Sequence, residues 1–493
     1  MRLFKNTLSS ILFQIVSIIC GFILPNFYLR IYGATEYGLV VSVTQYLQLI
    51  SLCELGVGAV VQAALYKPIA ENNETKISQI FAASQSFYKK IAYILCMYVV
   101  VLVAIYPHVT ETKVDFFFST FVILAIAFKL FLQFFFGISY RTLLTAAQYI
   151  SIIMNIGIIT LLANLILSII LMEYGCSLIT VIWASSVIFI LQPVLLSYYA
   201  RKRFTLEKVK YIEPNVIPQK WNGIAQHIAT ISLENVPVII LTAFTSLATV
   251  SIYAVYHMVT NGLKLAFISL LSSISPFMGN LLAKKEINRL SGFFESIAYL
   301  TLILDAYIFT VAYIVLLPFI HVYTDKLDNP TMYIIPALAF WMCISMAIYV
   351  LRLPFSYLIQ SFGHFKQTQN SAFIEAGLNI IFSIILVNIY GVVGVAIAIS
   401  FALFYRLLYF CYYVRKLIDF NIISFIKSIS LILIASILLI YLSSFIFSSA
   451  GNYIEWFWYG LKVSLLGLAV YGIILPIFNK KQTFKVIKTL IHR

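Results

Sequence analysis

Charge is what this sequence has least of. Asp, Glu, Lys and Arg make up only 10% of the 493 residues, against 62% hydrophobic residues and a mean hydropathy of +0.98. A water-soluble globular chain carries roughly 25% charged and 45–50% apolar residues. One core cannot bury this much apolar surface, which excludes soluble enzymes, nucleic-acid-binding modules and disordered scaffolds. The net charge of +15 is no nucleic-acid signature, because the basic residues sit in short segments between apolar runs. No Gly-x-x-x-x-Gly-Lys-Ser/Thr loop is present, so the chain itself does not hydrolyse ATP. The six cysteines follow no metal or redox spacing; Cys20, Cys53, Cys96, Cys343 and Cys411 lie in apolar runs and Cys176 in a short break. They read as small packing residues. The six histidines form no His-x-x-x-His pair or Cys/His cluster, so neither a metal site nor a catalytic site is expected.

Long apolar runs are what the sequence has. A spanning helix needs about 20 apolar residues, and runs of that kind predict an all-α integral membrane protein with about fourteen transmembrane helices. The predicted spans are 8–31, 39–65, 91–108, 116–138, 148–171, 178–199, 222–244, 248–276, 297–320, 333–358, 370–389, 391–414, 424–446 and 456–478. A β-barrel is excluded, since runs such as Leu431–Ile440 do not alternate polar with apolar. No small-residue cleavage site follows the first run, so it reads as a retained helix. With the amino terminus inside, 25 of the 33 Lys and Arg fall in cytoplasmic segments, two (Lys113 and Lys326) in outer loops and six within spans. That bias is a strong positive-inside signal and places both termini in the cytoplasm. The outer loops are short. A membrane-embedded polymerase or glycosyltransferase would need carboxylates or a histidine pair in a sizeable outer loop. The nearest candidates, His321 and Asp325, read as solvated turn residues, so no enzyme is expected.

The runs group into two lobes. Residues 1–205 form an expected amino-terminal six-helix lobe, ending at Arg201-Lys202-Arg203, and 221–417 a second, ending at Arg415-Lys416. Residues 424–493 add a helix pair and a basic tail. Glu36-Tyr37-Gly38-Leu39 has a faint echo in Ser251-Ile252-Tyr253-Ala254. Six spans per lobe would give both the same orientation, around a shared central cavity. The tail from Lys480 to Arg493 interleaves basic and apolar residues and is expected to lie on the anionic inner membrane surface.

Ionisable residues inside spans carry the functional information. There are ten: Arg30, Glu54, Lys129, Glu234, Lys264, Asp305, Arg352, Glu375, Arg406 and Lys462. Each costs about 2.5–3.5 kcal/mol at the bilayer centre, or on the order of 30 kcal/mol together if all faced lipid. Most must therefore face a bundle interior or a wet cavity, and six basic to four acidic makes that cavity cationic. Helix two carries Gln45, Gln48, Ser51, Glu54, Gly58 and Gln62 at steps of three or four, a polar stripe on one face. Helix eight repeats the pattern with His257, Asn261 and Lys264, helix seven with His227, Thr230 and Glu234. Helix eleven shows Glu375, Asn379 and Ser383, which equally suit ordinary helix–helix contacts. Lys129, next to Gln133, suits either substrate contact or a structural pairing with Glu54. Arg352, Arg406 and Lys462 lie toward helix ends, within snorkelling reach of headgroups.

Several stretches resemble the Wzx-type flippases of polysaccharide repeat units. They begin with Gly21-Phe22-Ile23-Leu24-Pro25 and Tyr32-Gly33-Ala34-Thr35-Glu36-Tyr37-Gly38, followed by Glu54-Leu55-Gly56-Val57-Gly58 and Leu65-Tyr66-Lys67-Pro68. The second half adds Gly363-His364-Phe365-Lys366-Gln367-Thr368, Glu375-Ala376-Gly377-Leu378-Asn379 and Gly391-Val392-Val393-Gly394-Val395. That family belongs to the multidrug/oligosaccharidyl-lipid/polysaccharide exporter (MOP) superfamily, and the resemblance covers residues 1 to about 417. It implies translocation of undecaprenyl-pyrophosphate-linked oligosaccharide across the bacterial cytoplasmic membrane by alternating access, for O-antigen or capsule synthesis. On that reading Arg30, Lys264, Lys129 and Arg352 form the cationic surface for the pyrophosphate. Gln45, Gln48, Glu54, His257 and Asn261 line a polar face for the sugar. Glu54, Glu234 and Glu375 are candidates to take up a coupling ion, H+ or Na+, and no cofactor is required. Partners would be the lipid-linked oligosaccharide, membrane lipids, a polysaccharide polymerase and a chain-length regulator. A drug/cation antiporter of the same fold and a lipid II or teichoic-type flippase are the competing readings.

Overall fold

The computed structural model describes residues 2–54, 57–110, 114–207, 224–272, 274–446 and 451–478. Regular structure in these residues is helical throughout. The chain divides into two compact units, Met1–Ser251 and Ile252–Arg493. The first contains α1 (Arg2–Gln48), α2 (Val57–Ala70), α3 (Glu74–Val109), α4 (Phe116–Leu132), α5 (Ile138–Ala146), α6 (Ile150–Glu173), α7 (Leu178–Ile188), α8 (Leu191–Arg203) and α9 (Ile224–Phe244). Helix α10 (Leu247–Leu271) leads into the second, with α11 (Ile274–Ala283), α12 (Ile287–Thr324), α13 (Pro336–Ser361), α14 (Gln369–Tyr390), α15 (Val392–Val414), α16 (Ile422–Ser443) and α17 (Tyr453–Phe478).

Thirteen helical stretches among the described residues are long and apolar enough to cross a membrane. The first, Lys5–Glu54, is really two passes, because α1 breaks at Gly33 (φ 86°, ψ 175°), a conformation only glycine adopts without strain. Before Gly33 the chain runs alongside α6: Asn6 bonds Gln148 and Ser151 at one end, and the Tyr32 hydroxyl donates to the Cys176 carbonyl at the other. After Gly33 it runs against α3, where Tyr106 donates to Ser42 and Tyr98 to the Tyr46 carbonyl. Since α3 and α6 run the same way, the chain reverses at Gly33, giving the fourteen crossings that the apolar runs predict. Side chains such as Phe117, Ile166 and Ile437 stand exposed around the helices, as lipid-facing residues do. This is a multi-pass membrane protein.

Four expected boundaries need correction. Helix two is not continuous over 39–65: a 3-10 stretch, Leu49–Glu54, replaces the α-helix before α2 starts at Val57. The three-residue steps Gln48, Ser51 and Glu54 suit 3-10 winding as well as α, so periodicity did not separate the two. Helix three begins at Glu74 rather than 91, capped by Asn73, whose side chain accepts from the Lys76 amide. Residues 74–90 bury only one face, including Ile77, Ile80 and Phe81, so they are amphipathic and extend the rod beyond the hydrocarbon. Helix four carries a π-turn at Gln133–Gly137, and helix six breaks at Phe189–Ile190.

Helix α9, expected to open the second lobe, packs on α1 through Ser42–Thr242 (2.7 Å) and belongs to the first unit. Helices α16 and α17, the expected added pair, pack on α12. There Tyr307 meets Ser464 Oγ at 2.5 Å, and the Trp456 indole donates to the Val315 carbonyl. Close approaches use glycine: a Cβ at Gly38 would lie 1.8 Å from the Leu247 carbonyl oxygen, and one at Gly394 lies 2.0 Å from that of Leu386. The second unit's core gathers Phe294, Phe355, Phe420 and Phe425. The segment with Glu213-Pro214-Asn215 and the tail Lys480–Arg493 lie outside the described residues.

Candidate functional site

In the second unit, three helices converge on one carboxylate. Glu375 of α14 accepts from Arg352 Nη1 of α13 through Oε1, and from Arg406 Nη1 of α15 through Oε2 at 2.5 Å. The Glu375 side chain is 1% exposed, Arg406 2% and Arg352 11%. Arg406 was expected to snorkel. It cannot, because it follows Ala398 and Ala402 on the same buried face of α15, which packs tightly on α13 and α14. That face is the signal that identifies Arg406 as interior.

Tyr349, one turn before Arg352 on α13, links this group to α10. The Arg352 guanidinium carbon lies 4.9 Å from the Tyr349 ring centre and Lys264 Nζ lies 5.1 Å from it. Lys264 is 3% exposed. Lys264 and Arg352 thus share the Tyr349 ring, while Arg406 lies 4.8 Å from the Phe410 ring centre, in a buried group of three cations and one carboxylate with net charge +2. Each of these cations gains from the negative face of the ring it lies against, by about 2 kcal/mol when desolvated. Up the same face of α10, the Asn261 Oδ1 is buried with no hydrogen-bond partner among the described residues. His257 stacks on Tyr253 at 5.6 Å and 15°. Asn379 and Ser383 are buried below Glu375, so the helix-eleven stripe serves packing as well as charge.

The first unit holds a separate polar group. Glu54, at the end of the 3-10 stretch, has His227 of α9 and Arg141 of α5 as its charged neighbours, with Tyr88 of α3 beside it. His227 Nε2 lies 2.9 Å from the Ser51 carbonyl. The Gln45 Oε1 and Tyr88 hydroxyl are buried without a hydrogen-bond partner among the described residues, whereas Gln48 is exposed. Lys129 does not pair with Glu54; its ammonium sits 3.3 Å above the Phe189 ring. It lines a cleft with Gln133, Arg141, Gln192 and Pro193, where the α4–α5 π-turn and the α7–α8 break meet. Irregular backbone at membrane depth is tolerated where it lines such a polar cleft. Arg30 lies apart, half exposed, 3.9 Å from Glu173 at the far end of α6. Glu234 is half-buried on α9 and Lys462 is exposed on α17. Periodicity missed Arg141 and Tyr349, and it placed His227 on a polar stripe without its partner Ser51, because these neighbours are remote in sequence. Among the described residues no three His, Cys, Asp or Glu side chains converge as metal ligands.

These features define a many-helix membrane protein with buried, predominantly cationic clusters inside its units. Solved structures of the same fold include a lipid II flippase, MurJ, in an inward closed conformation. It superposes with a TM-score of 0.73 at 16% identity, covering 97% of this chain and 99% of that one. An inward-facing multidrug resistance MATE family transporter of the MOP superfamily gives 0.59 at 10% identity, covering 81% and 95%. A Vibrio cholerae MATE transporter gives 0.53 at 16%, covering 84% and 95%. The chain therefore has the fold of MOP-superfamily proteins. No family profile and no curated protein matches its sequence.

Proposed function

We propose that this protein is a flippase that carries an undecaprenyl-pyrophosphate-linked oligosaccharide from the inner to the outer leaflet of the bacterial cytoplasmic membrane. It would work by alternating access and serve O-antigen or capsule synthesis, handing its cargo to a polymerase. The observation that carries this reading is the net +2 group in which Glu375 joins Arg352 and Arg406, and Arg352 shares the Tyr349 ring with Lys264. A pyrophosphate crossing a low-dielectric region needs fixed positive charge, since two unit charges 4 Å apart interact by about 4 kcal/mol at an effective dielectric of 20. Glu375 holds the two guanidiniums in place, and Lys264, against the shared tyrosine ring, is the proposed contact to the phosphate oxygens. Asn261 and His257, one and two turns away, would hydrogen-bond the first sugar. Lys129 with Gln133 and Gln192, and Arg30 just before the Gly33 break in α1, are proposed secondary contacts.

The same charge disfavours the drug-antiporter reading, because a cationic drug would be repelled. A lipid II or teichoic-type lipid remains a second cargo reading, supported by the 97% coverage of this chain on a lipid II flippase. All these cargoes share the pyrophosphate or phosphate headgroup that the cluster addresses.

The test is inner-leaflet accumulation of lipid-linked oligosaccharide in cells carrying each variant at matched protein level. Lys264→Ala should stop export while the protein still inserts. Lys264→Arg should retain part of it, since the charge survives but the donor geometry changes. Normal export with Lys264→Ala would refute the assignment. Polymer made from lipid-linked units by the purified chain alone would refute the flippase reading itself.

A further inference from the structure

Asp305 lies midway along α12 and is 3% exposed, and its Oδ1 has no hydrogen-bond partner among the described residues. One turn earlier Thr301 is 2% exposed, and its Oγ1 is likewise without a partner. Side chains four apart on a helix have Cβ atoms about 5–6 Å apart, so these two unmet oxygens share one small volume. Asp305 forms no ion pair among the described residues, unlike Glu375.

Helix α10 meets α12 where Phe267 stacks on Phe309, and it carries Tyr253, Tyr256, His257 and Lys264. Of these, Lys264 lies against the Tyr349 ring and His257 on Tyr253. The other elements packed on α12 bring little charge to it. Helix α16 carries only Lys427 and Tyr441, one toward each end, and α11 carries no titratable group. Helix α13 brings Cys343, Tyr349, Tyr357 and Arg352, the last already engaged by Glu375; the short Pro330–Tyr333 turn brings Tyr333. Helix α17 places Glu455 and Lys462 in its first half, and Tyr471 near the site. The Tyr471 hydroxyl bonds Ser436 Oγ at 2.7 Å and Thr310 Oγ1 at 3.5 Å, and it interacts electrostatically with Asp305. On α12 itself Tyr299 and Tyr307 flank the position.

An ionised carboxylate left alone in an apolar interior is costly unless something neutralises it. A metal cation needs a shell of several oxygens, and the hydroxyls of Tyr471, Ser436 and Thr310 are already bonded to one another. A proton needs only the carboxyl oxygen and one acceptor, and Thr301 Oγ1, unbonded one turn away, is within a side-chain rotation of that role. We propose that Asp305 and Thr301 form a proton-carrying site where α12 meets the α16–α17 pair, and that its loading and release couple cargo movement to a proton gradient. The coupling half rests on the transporter reading above. It differs from the expectation for Glu375, whose charge two guanidiniums already balance.

The full-length protein in phosphatidylethanolamine/phosphatidylglycerol vesicles tests both halves. Dicyclohexylcarbodiimide reacts with protonated carboxyls in apolar surroundings, and peptide mass spectrometry locates the adduct. The Asp305 peptide should be labelled, less so as pH rises, with no effect of sodium at fixed pH, and Asp305→Asn should abolish the label. No label at Asp305, or protection by sodium at fixed pH, overturns the proton site. In the same vesicles an imposed pH gradient should accelerate flipping of lipid-linked oligosaccharide by the wild type. Asp305→Asn should lose that acceleration and Thr301→Val weaken it, with each variant's gel-filtration profile unchanged. A full gradient response in folded Asp305→Asn overturns the coupling. Absence of any flipping by the wild type falls on the functional reading, and the labelling result then still decides the proton site.

Discussion

Glu375→Gln is the substitution whose cost the structure sets most directly. It keeps the side chain's shape but removes the carboxylate between two guanidiniums. Arg352 retains partial exposure and the Tyr349 ring. Arg406, 2% exposed, keeps its charge but loses the Glu375 carboxylate it bonds. Breaking a buried pair by removing one partner costs about 3–5 kcal/mol. At about 2 °C per kcal/mol for a unit of roughly 250 residues, the apparent melting temperature should fall by on the order of 6–10 °C. Fluorescence-detected size exclusion of detergent-purified protein after stepwise heating measures that fall. Because the group is shielded from solvent, the loss should be nearly the same at low and high salt. Removing the stranded charge as well, in Glu375→Gln/Arg406→Met, should restore most of the loss, since apolar replacements of whole buried pairs are often neutral. A single variant melting with the wild type, or a double variant melting as low as the single, would refute this account of the cluster.

Two glycines in one helix should respond with opposite sign. Gly38→Ala drives a Cβ into the Leu247 carbonyl and should cost at least about 1–3 kcal/mol, whereas Gly21→Ala, with nothing within 4 Å, should stabilise by up to about 1 kcal/mol; the same heating assay reads both. A reporter fused after Arg493 should read as cytoplasmic, and an external reading would dismiss the proposed orientation.

The apolar runs alone determined the helical membrane class and the number of crossings, because a helix that meets lipid on its outer face must be apolar over the hydrocarbon thickness. They also marked which ionisable residues needed explaining, since charge is rare enough in such runs to stand out. They could not say where helix two changes winding, because Gln48, Ser51 and Glu54 fit 3-10 and α periods alike. Nor could they show that α4 and α8 bend together beside Lys129, since a π-turn leaves no mark on an apolar pattern. Which charges meet was settled only by the folded chain. Arg352, Glu375 and Arg406 lie on three different helices, and Lys264 joins them through Tyr349, which the sequence pattern does not single out. Glu375 and Asp305 read alike as single in-span carboxylates. Tertiary packing gave the first two guanidiniums and left an oxygen of the second without a partner, because charge pairing depends on which faces of remote helices come together.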